Sequence, residues 1–368
     1  MQAATDPDHA PSPSAGPRLR IVLAVRSDGF AGVEQYVATV AADLARRNHE
    51  VVAIGGDPVS MGRVLRASGV EHFAARRSLD VANALCRHAR RADVVHVHMT
   101  AAEAAAAVAW PLVHAPVVAT RHFARRRGSG LPARLGATLV RRRLAAQISI
   151  SRFVGRCIGE PSEVVLNGVP DAPPVDPSAR VVLVAQRLEQ EKRTHDALLA
   201  WERSGLAALG WQMWIAGIGS EREALEAVAR RQPCEAVRFL GYRADLDQLR
   251  AEAGLFLATA PAEPFGLSVA EAMAAGLPVI AAGGGGHLET VGAVRPDLLY
   301  APGSVDECST RLRALADDVD ARRAAGADLR AFQQKALSVQ QHVDALLGVY
   351  ERVIAKRHDG AERVHRST

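Results

Sequence analysis

Two carboxylates, Glu263 and Glu271, bracket the run Pro264-Phe265-Gly266-Leu267-Ser268-Val269-Ala270. Ionised carboxylates accept hydrogen bonds from hydroxyls, so an acidic pair spaced this way suits a hydroxyl-rich ligand. Upstream, Arg187 and Lys192 flank Leu188-Glu189-Gln190-Glu191. A guanidinium fork and an ammonium point charge could together grip a diphosphate, although a solvated mixed-charge loop would look the same in isolation. The elements around the acids decide how they are presented. Leu255-Phe256-Leu257-Ala258-Thr259-Ala260 reads as a short buried strand before them. Gly276-Leu277-Pro278 stops a helix after them. The order is strand, loop, helix start, and a helix start offers unpaired N–H groups and a positive dipole end to an anion. A ligand with phosphate in the middle and hydroxyls at each end fits, which is the chemistry of a sugar nucleotide.

Other candidates carry weaker patterns. Gly283-Gly284-Gly285-Gly286 follows a strand ending at Ala282. Such a run allows close backbone approach to a ligand, or is a flexible loop. Asp28-Gly29-Phe30-Ala31-Gly32 precedes a helix but lacks the full spacing of a dinucleotide fingerprint. His122 comes directly after a strand and is expected at a ligand cleft, whereas His96 and His98 share one strand face and read as structural. From Ala104 to Gly159 there is no Asp or Glu, yet ten arginines: Arg121, Arg125, Arg126, Arg127, Arg134, Arg141, Arg142, Arg143, Arg152 and Arg156. An arginine-rich solvated surface, a face for an anionic acceptor or anionic lipid heads, and a nucleic-acid face are three readings of it. Leu131 to Leu144 has the leucine spacing of an interfacial helix with arginines at both ends. After Trp110, Phe123 and Phe153 are the only aromatics within the cluster, a poor base-stacking platform, so no nucleic-acid partner is expected.

The 368 residues suit two domains, and 48% hydrophobic with 23% charged content is a globular balance. Cys86, Cys157, Cys234 and Cys308 form no paired motif, which argues against a metal site or disulfide framework and fits a reducing cytoplasm. Residues 1–18, rich in Pro, Ser, Ala and Asp, read as a disordered leader with no signal-peptide core. No window approaches the roughly 18 clean apolar residues of a membrane span.

Strands alternate with helices along the chain. Arg20 to Val25 is a strand, Val33 to Arg46 a helix with Val33, Tyr36, Val37, Val40 and Leu44 on one face, and Val51 to Gly55 the next strand. Further strands are predicted at Val70–Ala74, Asp93–Val97, Pro116–Thr120, Ala146–Ile150 and Val164–Leu166. After a turn-rich Asn167-Gly168-Val169-Pro170 the pattern restarts at Arg180–Ala185, Trp211–Ala216, Ala236–Leu240, Leu255–Ala260 and Pro278–Ala282. Ser220 with Glu223 reads as a capping box, and Val305 to Ala355 as mostly helix. The fold class is α/β, with two doubly wound parallel-sheet domains and a ligand cleft at the strands' carboxyl ends.

Together these pieces resemble the retaining GT-B glycosyltransferases, most closely the family 4 group, also called glycosyl transferases group 1. The run from Glu263 to Glu271, continuing Ala272-Met273-Ala274-Ala275-Gly276-Leu277-Pro278, is similar to the family's E-x7-E stretch. Arg187 with Lys192, Trp214 to Gly219, Val237 to Gly241 and Gly285-Gly286-His287-Leu288-Glu289 match too, so the second half resembles the family almost end to end. Thr120-Arg121-His122 and Asn167-Gly168-Val169 look like family landmarks. Gly29-Phe30-Ala31-Gly32-Val33-Glu34 departs from it, Ala31 replacing the first of two usual glycines.

The resemblance implies two Rossmann-like domains facing across a cleft, acceptor-binding over 19–170 and nucleotide-sugar-binding over 179–340. A linker at 171–178 and a C-terminal helix at 341–368 packing back toward the first domain complete it. It implies that Arg187 and Lys192 neutralise a donor diphosphate, that Glu271 holds the ribose and that Glu263 holds the sugar. Backbone N–H groups of Phe265, Gly266 and Leu267 would meet sugar and phosphate. Gly32 would close on the phosphate, and His122 would contact the sugar near its reacting carbon. Transfer of a sugar from a nucleoside-diphosphate sugar to a hydroxyl acceptor follows, with no cofactor and no bound metal. The acceptor, a lipid, glycan or natural product, and the acceptor-binding residues stay open. So do a sugar-nucleotide epimerase or phosphorylase, and a catalytically silent sensor or scaffold on the same fold. A cytoplasmic protein, peripheral to the inner membrane face through the Arg121–Arg156 stretch, is expected.

Overall fold

The structure is a computed structural model that describes residues 17–127, 138, 140–231 and 236–366. Contacts divide the chain into two units. One holds residues up to His122, Arg127–Ile148 and Val343–Thr368; the other holds Phe123–Arg126 and Ser149–His342. Residues 171–178 therefore lie inside the second unit.

The first sheet runs β1 (Arg20–Val25), β2 (Glu50–Ile54), β3 (Glu71–Phe73), β4 (Val94–His98), β5 (Val117–Arg121), β6 (Leu144–Ser149) and β7 (Glu163–Val164). Its order is β3-β2-β1-β4-β5-β6-β7. β1 pairs parallel with both β2 and β4, so the strand order reverses there. The first helix, α1 (Gly32–Arg46), buries Tyr36, Val37, Val40 and Leu44, the face its spacing predicts. The helices α2 (Pro58–Leu65), α3 (Ser78–His88) and α4 (Met99–Ala109) follow in the connections.

The second sheet has β8 (Val181–Ala185), β9 (Gln212–Ala216), β10 (Val237–Gly241), β11 (Leu255–Ala258), β12 (Val279–Ala282) and β13 (Leu299–Tyr300), in the order β10-β9-β8-β11-β12-β13. Every residue of β8, β11 and β12 is buried, as expected of parallel strands covered on both faces. Helices α5 (Arg152–Ile158), α6 (Thr194–Ser204), α7 (Arg222–Ala229), α8 (Leu246–Ala251), α9 (Leu267–Ala274), α10 (Val305–Asp317) and α11 (Val319–Ala336) surround it, and α12 (Val339–Arg366) ends the described chain. Trp201, Phe256 and Phe265 fill its core. Both doubly wound parallel sheets are thus present. The order reverses between β8 and β11, which puts the loops after these two strands side by side at the carboxyl edge.

One local expectation changes, and one strand is new. Ser220 caps no helix, because its hydroxyl and N–H donate to the Glu189 carboxylate at 2.7 and 3.3 Å, and α7 starts two residues later. β13 is too short for periodicity to reveal. By contrast, Gly276 takes φ +71° after α9, with Leu277 N–H donating to Ala272 O and Gly276 N–H to Met273 O, the double bond of a glycine-terminated helix.

The segment before residue 170 is held by the start of α12. His342 Nδ1–H donates to Leu166 O at 2.7 Å, and Val169 N–H donates to Leu337 O at 2.9 Å. Gly168 makes this approach possible, since a Cβ there would lie 2.5 Å from Ser338 O. Burial pushes the His342 pKa down from 6.5 to about 4. A depressed histidine contributes stability that is complete above its unfolded value and is lost as pH falls through 6.5 toward 4. Thermal unfolding should reveal an acid-side loss of about 3 kcal/mol from this residue. His342→Gln should flatten the profile over that range; an unchanged slope would remove His342 as the cause.

Candidate functional site

The loop from β11 to α9 is fixed by its anchors. Phe265 is buried in the core, and Gly266 sits at φ +92°, ψ +65° as the residue before α9. The acute turn exposes the helix's first N–H groups, and no side chain caps them. The glycine run lies directly behind. A Cβ at Gly285 would stand 2.3 Å from Glu263 O, and one at Gly286 2.6 Å from Phe265 Cα. Gly286 N–H donates to Glu263 O at 2.7 Å. These glycines therefore bring protein backbone onto the Glu263 loop. The close approach that Gly285 and Gly286 allow is thus one between two segments of the chain.

Glu263 and Lys192 meet across the strand reversal. Lys192 Nζ lies 2.6 Å from Glu263 Oε2, with both side chains mostly buried. The Lys192 loop is held in place by polar groups at the ends of β8 and β11. Thr259 Oγ1 donates to Lys192 O at 2.7 Å, and the Gln186 amide donates to Lys192 O, Thr194 Oγ1 and Thr259 Oγ1 at 3.1, 3.0 and 3.0 Å. Gly217, at φ +147°, packs against Gln186 O and so fixes where this strand end points.

Glu271, on α9, pairs with Arg250 of α8 at 3.0 Å. Arg250 also holds Asp247. Burial raises the Glu271 pKa, and the Arg250 charge works against that rise. Arg187 is exposed and pairs with Glu191 at 2.7 Å. Ser151 ties α5 to the loop: its hydroxyl donates to Pro264 O at 2.7 Å and accepts from Val154 N–H. Glu289 accepts from Arg152 N–H and Phe153 N–H at 2.8 and 2.9 Å, so this acid caps α5.

His287 is nearly sealed. Its Nδ1–H donates to Ala282 O at 3.0 Å, and a Cβ at Gly266 would lie 3.3 Å from its Cδ2 and Nε2. Burial lowers its pKa, Glu263 pulls it up and Lys192 pushes it down. Gln186, Thr259, Arg250 and Ser151, which sequence patterns did not single out, bond to these groups, and His287 stood out only within the Gly285–Glu289 match. A polar residue ending a buried strand, as Gln186 and Thr259 do, was the available signal for two of them.

Gly32 and His122 belong to the other unit. Gly32 is exposed and opens α1, where the Glu34 carboxylate accepts from Ala31 N–H at 2.9 Å. His122 is buried, with Nε2 3.1 Å from His98 Nδ1 and Tyr36 edge-on to both rings. His96 bonds Tyr350 OH and Thr120 Oγ1, each at 2.7 Å. The arginine stretch divides. Arg121 and Arg127 are buried against Glu103, at 4.0 and 2.5 Å, while Arg141, Arg142 and Arg143 are exposed, with Arg143 over the Trp110 ring. Most of the Leu131–Leu144 segment, with Arg134, lies outside the described residues, as does Cys234. No helix among the described residues is long and apolar enough to cross a membrane.

The family model "Glycosyl transferases group 1" matches residues 170–331, and "Glycosyltransferase Family 4" matches residues 30–172. A 2-deoxystreptamine glucosyltransferase of Streptomyces kanamyceticus is 32% identical over 46% of this chain and 45% of its own. A glycogen synthase of Mycobacterium tuberculosis is 34% identical over 40% of this chain and 37% of its own. The matches therefore span less than half the length of these two curated relatives. Anabaena Alr3699/HepE, solved with UDP and glucose, superposes with TM-score 0.74 at 22% identity over 91% of this chain and 100% of its own. That likeness is one of fold.

Gly266 offers a check on the loop. An alanine at its positive φ should cost about 1–3 kcal/mol in strain, with a further loss from crowding the His287 ring. Gly303→Ala, at φ +83° with open space around it, should cost the strain alone. Equal losses in denaturant unfolding would show that the packing at Gly266 contributes nothing.

Proposed function

Because this chain belongs to the GT-B glycosyltransferases of group 1 and family 4, we propose that it transfers a sugar from a nucleoside-diphosphate sugar to a hydroxyl acceptor. The observation that carries the reading is the Lys192–Glu263 contact at the reversal of strand order, beside the uncapped start of α9. A diphosphate at that start meets the N–H groups of Phe265, Gly266 and Leu267 and the Lys192 ammonium, with exposed Arg187 exchanging its Glu191 partner for the phosphate. Glu263 then accepts from sugar hydroxyls, and Glu271 from the ribose.

In the step proposed, the bond from the anomeric carbon to the phosphate oxygen breaks and its electron pair leaves with the nucleoside diphosphate. The acceptor oxygen bonds the same carbon on the same face, and its proton passes to the departing phosphate oxygen. Configuration is retained. Negative charge grows on the diphosphate, so fixed donors there lower the barrier without a metal ion. The Anabaena neighbour holds UDP and glucose, which makes UDP-glucose the first donor to test. The exposed Arg141, Arg142 and Arg143 support peripheral contact with anionic lipid.

Lys192→Ala should lower transfer, or donor hydrolysis without acceptor, by about 100-fold or more with the fold intact. Turnover should persist in EDTA. Unchanged turnover in the variant would remove the diphosphate assignment, and hydrolysis absent from the wild-type protein with every donor would favour a silent binding module. Replacing Arg141, Arg142 and Arg143 together by Gln should weaken co-sedimentation with anionic phosphatidylglycerol vesicles. Equal sedimentation would leave a solvated surface.

A further inference from the structure

Resting on the sugar-nucleotide reading above, we propose that His287 is a specificity-determining residue. Its Nε2 accepts a hydrogen bond from a hydroxyl of the bound sugar, beside Glu263. Three observations converge. The ring is 1% exposed, and its Nδ1–H is committed to Ala282 O at 3.0 Å. In a neutral imidazole with that tautomer, Nε2 carries a lone pair and no hydrogen. Nε2 makes no hydrogen bond among the described residues, yet it is not one of the polar atoms sealed from solvent without a partner. The sliver of exposed ring is therefore at Nε2, where the ring lies against the α-carbon face of Gly266 and near Glu263.

The chemistry selects the ligand group. A lone pair at this position repels phosphate oxygens, which are themselves acceptors, and requires an O–H or N–H donor. The diphosphate has none at neutral pH; a sugar has several. Burial keeps the ring neutral although Glu263 is close, so the acceptor persists at neutral pH. Glu263 supplies a charged acceptor, answered by Lys192, and His287 a neutral one of fixed direction. Two acceptors of fixed geometry discriminate between sugars that differ in the placement of a hydroxyl, because the wrong epimer leaves one of them buried and unpaired.

Calorimetry on the full chain tests this with three pairs: UDP and UDP-glucose, GDP and GDP-mannose, ADP and ADP-glucose. Wild-type protein that binds no member of any pair defeats the sugar-nucleotide reading itself. With a pair that binds, His287→Leu should weaken the sugar nucleotide about tenfold and leave the nucleoside diphosphate unchanged. His287→Gln, which keeps an acceptor, should recover part of the loss. Equal weakening of both ligands, or no weakening of either, overturns the proposal. A second arm needs no variant to fold. In histidine-labelled wild-type protein, one ring nitrogen resonance with the shift of an unprotonated acceptor should move on adding the sugar nucleotide and stay still with the diphosphate. No such difference overturns the assignment.

Discussion

The contact between Lys192 and Glu263 depends on strand order more than on either side chain. β8 and β11 are neighbours although two strands separate them in sequence, so the loops leaving their carboxyl ends meet. Opposite charges at 2.6 Å and mostly buried attract far more strongly than on an open surface, and each answers the other's desolvation. Without that pairing, a lysine or glutamate at this depth would be an uncompensated charge. The pair sets an ammonium and a carboxylate side by side, a donor for a ligand's negative charge and an acceptor for its hydroxyls.

Rigidity around this pair comes from backbone packing. Glycines at 285 and 286 let one loop lie on another at distances no side chain would permit, and the Gly286–Glu263 backbone bond locks the two together. Ser151 adds a tie from α5 to Pro264 O, while Gln186 and Thr259 hold the Lys192 carbonyl. A site whose supporting groups are this committed loses little entropy when a ligand arrives. The same packing places the His287 ring edge at the site.

The first unit is organised differently. Its strand ends carry a row of buried imidazoles, His96, His98 and His122, joined through hydrogen bonds and ring contacts to Tyr36 and Tyr350. Tyr350 lies on α12, so the last helix helps order this polar row. Burial raises the pKa of both tyrosines, which keeps their hydroxyls available as donors. The arginines that sequence composition grouped together serve separate ends here, two neutralising buried Glu103 and others facing solvent.

Periodicity and turn residues alone determined the two doubly wound sheets, the helix stop at Gly276 and the bracketing of a helix start by Glu263 and Glu271. These are local properties: side-chain period, backbone freedom and the unpaired N–H groups of a helix end act within a few residues. Only the tertiary structure decided that Lys192 pairs with Glu263, that Arg250 answers Glu271, that Glu289 caps α5 and that the glycine run packs on protein. The same holds for the ring nitrogen His287 leaves unpaired. Each of these joins segments distant in sequence, and no pattern within a segment encodes which strand will become its neighbour. That is settled when the sheet assembles and buries its faces, and the polar groups at its edge must then find partners among whatever the strand order has brought near.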